Sequence, residues 1–131
     1  MGKIKTSNIS EHFLHCELSC KCQRCNSEDI VVPELIYILE TIRWYFGKPI
    51  SISSARRCVR HNANVGGKSS SLHIVGKACD FNVVGVDNNI VQEYCDALIG
   101  NRGGLGRYDN FTHIDVRGIK ARWDCRTNTH S

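Results

Sequence analysis

Nothing in the 131 residues approaches the roughly 18 consecutive apolar residues of a membrane-spanning helix, so membrane insertion is not expected. Residues 1–10 (MGKIKTSNIS) also lack the apolar stretch of a secretory signal. There is no internal repeat and no low-complexity tract, which excludes solenoids, collagen-like chains and wholly disordered chains. Charge of neither sign dominates: 17 Lys and Arg stand against 13 Asp and Glu, a formal net charge of +4. That balance suits an anionic polymer without selecting one. The basic residues are scattered rather than gathered on one stripe with aromatics, which argues against nucleic-acid binding. With 41% hydrophobic and 23% charged residues, the length fits one globular domain, read as residues 9–125 between tails at 1–8 and 126–131. A monomer is expected.

Cysteine, by contrast, is abundant, with 8 in the chain. The even count is compatible with disulfides in an oxidising compartment, a metal site, or reduced thiols in a small core. Cys16, Cys20, Cys22 and Cys25 form C-x3-C-x-C-x2-C. Four thiolates suit a structural zinc, whereas pairing with Cys58, Cys79, Cys95 or Cys125 suits disulfides. No Cys stands beside a candidate base, so none is read as a nucleophile.

The hydrophobic pattern predicts a mixed α and β domain. Pro33 opens a segment in which Leu35, Ile38, Leu39, Ile42 and Phe46 recur at helical spacing, and Gly47 stops it. Ile50 and Ile52 alternate with Ser51 and Ser53 in a short strand that ends at Ser54, Ala55 and Arg56. Residues 57–64 are read as helix or turn, and the Gly- and Ser-rich residues 65–77 as an irregular loop of the kind that carries sites. A strand over 78–84 puts Asp80 on the face opposite Cys79, Phe81 and Val83. Asp87 caps a helix over 88–99 whose apolar stripe is Ile90, Val91, Tyr94, Cys95, Leu98 and Ile99. Strands at 105–108 and 111–117, joined at Asp109 and Asn110, make a hairpin with His113, Asp115 and Arg117 on one face.

Polar side chains repeated on one face of a strand are costly unless they meet a metal, a partner or water. His73, Asp80 and His113 are two imidazoles and a carboxylate, the three protein ligands of a catalytic zinc that keeps a fourth position open. Such a metal lowers the pKa of water to about 7 and supplies a nucleophile at neutral pH.

Ser71, His73, Gly76, Ala78 and Asp80 spell S-x-H-x-x-G-x-A-x-D, with Ser53 to Arg56 (S-x-x-R) upstream and His113-Ile114-Asp115-Val116-Arg117 downstream. In that order, with His61-Asn62, Val65-Gly66-Gly67, Leu105-Gly106-Arg107-Tyr108 and Arg122-Trp123, they resemble the zinc D-Ala-D-Ala carboxypeptidase and L-alanyl-D-glutamate endopeptidase family of peptidoglycan peptidases. The resemblance implies an α+β fold with a central antiparallel sheet flanked by helices, the fold shared with the hedgehog signalling domain. It makes His73, Asp80 and His113 the zinc ligands, Arg56, Ser71 and Tyr108 substrate contacts, and Arg56 a partner of the developing oxyanion. Several relatives carry a glutamate three residues before the last ligand, where this chain has Asn110, and an amide cannot take a proton. Asp115, about 6.6 Å along the strand from His113, is the expected catalytic base or an orienting acceptor for His113, with Asp109 the alternative base.

The expected activity is zinc-dependent hydrolysis of a stem-peptide bond of peptidoglycan by an endolysin-like enzyme, reaching the bacterial wall after lysis or by another export route. The alternative is a zinc-holding binding module of the same fold.

Overall fold

The computed structural model describes residues 8–22, 29–68 and 70–127. Among these are four α-helices, α1 (His15–Leu18), α2 (Pro33–Phe46), α3 (Val59–Asn64) and α4 (Asn88–Ile99), with a single 3₁₀ turn at Gly100–Arg102. The strands are β1 (Ile50–Ser54), β2 (Ala78–Val83), β3 (Gly104–Arg107), β4 (Thr112–Asp115) and β5 (Ala121–Asp124). They form one sheet in the order β1-β2-β4-β3-β5.

The helix ends follow their sequence signals. Pro33 takes the first turn of α2, where its missing N–H costs nothing, and Gly47 closes the helix with φ 64° while donating to the Arg43 carbonyl. Asp87 caps α4 by accepting a hydrogen bond from the Asn89 N–H at 2.7 Å. Leu35, Leu39 and Ile42 of α2 and Val91, Cys95 and Ile99 of α4 join Phe81, Val83, Leu105 and Ile114 of the sheet in one buried core. Phe13, Leu18 and Val31 of the N-terminal region extend that core.

The structure departs from the sequence expectations in three places. The sheet is mixed rather than antiparallel throughout, because β5 runs parallel to β3. The hairpin strands end earlier, at Arg107 and Asp115, so residues 108–111 form the connection. Ile90 is 58% exposed while Gln92 is fully buried, so the inward face of α4 is rotated from the expected stripe. Gln92 donates from Nε2 to the Tyr108 and Phe111 carbonyls and ties the β3–β4 connection to the helix.

Arg126 bonds Asp124 and Asn89, and Thr127 bonds the Asp109 carboxylate through its amide and hydroxyl. No helix among the described residues is long and apolar enough to cross a membrane.

Candidate functional site

Strand register builds the site. Ser54, Asp80, His113, Gly106 and Trp123 are successive cross-strand partners over β1, β2, β4, β3 and β5. Partners in one row point to the same side of a sheet, so this row runs across the face opposite the core. Ala78, Asp115, Gly104 and Ala121 make the next row on that side. Glycine in both rows leaves room for larger neighbours: a Cβ on Gly106 would stand 2.5 Å from the Trp123 indole nitrogen, and one on Gly104 would stand 2.5 Å from the Asp115 carboxylate.

The Gly- and Ser-rich loop brings His73 over this face. Its Nε2 lies 3.4 Å from Asp80 Oδ1, and His113 Nδ1 lies 2.8 Å from the same oxygen. The three side chains can each offer a ligand atom within 4.8 Å of the others. Their outer atoms are already committed. His73 Nδ1 donates to the Ala55 carbonyl at 2.7 Å, which turns Nε2 toward Asp80, and His113 Nε2 donates to Asp115 Oδ2 at 2.9 Å. Imidazoles held from behind in this manner are oriented for a metal. The arrangement fits zinc in donor type and number, since two nitrogens and a carboxylate oxygen converge and a cation would replace the proton that His113 Nδ1 presents to Asp80.

The electrostatics agree. Burial alone would push the Asp80 carboxyl up, but hydrogen bonds from His113 and His73 overcome it and hold the group at about 2. For His113 burial favours the neutral ring, and the bonds to Asp115 and Asp80 outweigh that and raise its pKa. Asp115 is held well below the usual carboxylate range because His113 and Arg117 more than offset its burial.

Around these residues is a cleft of about 850 Å³, lined among others by Arg57, Ser71, Tyr108, Phe111, Arg117 and Trp123. Tyr108 stacks on Phe111 with ring centroids 4.3 Å apart, and its hydroxyl accepts from the Trp123 indole N–H at 2.9 Å. Arg117 sits over the Trp123 ring at 5.3 Å. Ser71 lines the cleft, and its hydroxyl oxygen accepts from the His73 amide.

Several expected site residues stand elsewhere. Arg56 turns away from the cleft toward Asp29 and the Ile30 carbonyl, at 3.7 and 3.5 Å. The adjacent Arg57, which sequence reasoning passed over, lies 3.5 Å from Asp80 and is braced by Ser54 and Asn62. Asp115 is fully buried and does not line the cleft. Its oxygens receive His113, the Gly104 amide and the Arg117 guanidinium, so the geometry is that of an orienting acceptor and not of a base facing substrate. Asp109 is exposed and engaged by Thr127. Asp80 is the one carboxylate among the described residues lining the cleft.

Of the cysteines, Cys20 and Cys22 converge with Cys58, while Cys16 is exposed and outside that group. Cys25 lies outside the described residues. Cys79 and Cys95 are buried with free thiols, and burial pushes Cys95 up to about 12.

A family model described as peptidase M15 matches residues 11–115, and the chain belongs to that family. A protein of Haemophilus influenzae described as a probable peptidoglycan L,D-endopeptidase is 32% identical over 71 residues. Those residues are 53% of this chain and 37% of the relative, so the match spans little more than a third of the relative's length.

Proposed function

We propose that this protein is a zinc-dependent peptidase that hydrolyses a stem-peptide bond of bacterial peptidoglycan with a D-amino acid on at least one side. The observation that carries the reading is the convergence of His73, Asp80 and His113 on the polar face of the sheet, at the floor of an open cleft. The activity named for the Haemophilus relative favours an endopeptidase over a carboxypeptidase.

His73 Nε2, Asp80 Oδ1 and His113 Nδ1 would hold the zinc, which when bound supplies Lewis acidity toward a carbonyl and a water. Arg57 is the residue that takes over the role expected of Arg56. Its guanidinium stands at the edge of the ligand group, where positive charge counters the charge developing on the scissile carbonyl oxygen. Tyr108 accepts the Trp123 N–H and also bonds the Cys125 side chain, so its hydroxyl is held in place at the wall of the cleft. Burial raises its pKa and keeps the phenol neutral as a donor. Arg117 adds a second positive group, suited to the carboxylates of a stem peptide. Asp115 acts through His113, fixing the ring so that Nδ1 faces the centre.

Purified zinc-loaded protein incubated with muropeptides should split the stem peptide, with mass spectrometry showing two fragments that together gain one water. A second reading, a zinc-holding binding module, draws on the scarcity of carboxylates in the cleft. Retention of muropeptides on the zinc-loaded protein with every peptide bond intact would select that reading instead.

A further inference from the structure

A second group of metal-binding side chains lies away from the cleft, and the geometry points to a structural zinc held by Cys20, Cys22 and Cys58. The three sulfurs lie within 4.8 Å of one another. Cys22 Sγ and Cys58 Sγ are 3.7 Å apart. That distance is far beyond the roughly 2.05 Å of a disulfide. It agrees with the separation of about 3.8 Å that two sulfurs adopt when each is about 2.3 Å from a tetrahedral zinc. Backbone donors are already aimed at two of the sulfurs: the Cys58 amide at Cys20 Sγ and the His61 amide at Cys58 Sγ, both at 3.3 Å. Amide hydrogen bonds of this kind stabilise thiolate charge.

Thiolates select a thiophilic cation, and zinc binding would release the thiol protons to solvent as three Zn–S bonds form. Three thiolates leave one position of the tetrahedron to a further donor. The site joins residues far apart in the chain. Cys58 follows Arg57 directly, the Arg57 amide donates to the His73 carbonyl at 2.9 Å, and His73 Nδ1 donates to the Ala55 carbonyl. A metal at Cys58 therefore steadies the segment 55–58 that holds His73 and presents Arg57. It also fastens the N-terminal region to that segment through Cys20 and Cys22.

The test uses the full chain purified under reducing conditions. Elemental analysis should give about two zinc ions per chain in the wild type and about one in His73→Ala. Cobalt added to the metal-stripped wild type should produce a near-ultraviolet thiolate-to-cobalt absorption that His73→Ala retains and Cys58→Ser loses. Absence of that absorption in the wild type overturns the proposal, as does a mass showing Cys22 and Cys58 joined in a disulfide. The wild-type spectrum decides even if Cys58→Ser does not fold, and it is independent of whether muropeptides are cleaved.

Discussion

At the scale of single residues, the site separates groups that hold from groups that face the cleft. Asp115 is the clearest case, because a fully buried carboxylate already receiving His113, Arg117 and Gly104 has no surface toward a substrate. Asp115→Asn should lower zinc affinity about 10- to 100-fold, measured by competition with a chromophoric chelator. Unchanged affinity with a collapse of kcat would instead make it the catalytic base. The two adjacent arginines divide in the same manner. Arg57→Ala should reduce kcat/KM on muropeptides about 10²-fold, whereas Arg56→Ala should change it by no more than a few-fold, in parallel steady-state assays. The placing of Asp80 and His113 side by side was legible in the sequence because strand alternation puts both on a polar face. The choice between Arg56 and Arg57 was not, since consecutive residues leaving a strand point to opposite sides and a one-residue error reverses them.

At the scale of elements, long periodic segments were readable and short ones were not. Helices α2 and α4 carry their own stop and start signals in Pro33, Gly47 and Asp87, so their limits follow from local chemistry. β5 has only four residues, none of them more than partly buried, and its pairing with β3 is a long-range event that no local pattern announces. The rotation of α4 arises because Gln92 finds two carbonyls in the β3–β4 connection, a tertiary reward that outweighs its polarity. Another such contact fixes the N-terminal region: Glu40 of α2 accepts from Ser10 Oγ, the His12 amide and His12 Nδ1.

Burial tends to raise the Glu40 pKa, but these bonds prevail and lower it. A depressed carboxylate contributes stability above its unfolded-state pKa and loses it as pH falls through the folded value. Glu40→Gln should therefore cost about 1 kcal/mol at neutral pH. The difference from wild type should vanish in acid, both measured by urea unfolding. An equal cost in acid and at neutrality would contradict this.

At the scale of the molecule, one sheet does two jobs. Its apolar side closes the core against α2 and α4, and its polar side carries a row of partners from Ser54 to Trp123 over which His73 is folded. The α+β class and family resemblance were visible in the order of motifs, and membership of the peptidase M15 family accords with them. The mixed sheet and the cysteine group at Cys58 were not visible, because both depend on residues brought together across long stretches of chain.

The central claim is that His73, Asp80 and His113 hold the zinc required for peptide hydrolysis. Its most direct test is the return of muropeptide cleavage as zinc is added back to metal-stripped protein, followed beside His73→Ala. Cleavage should be absent without metal, should recover and saturate with zinc in the wild type, and should not recover in the variant; cleavage by the metal-free protein, or full recovery in His73→Ala, would mean that these residues do not hold the required zinc.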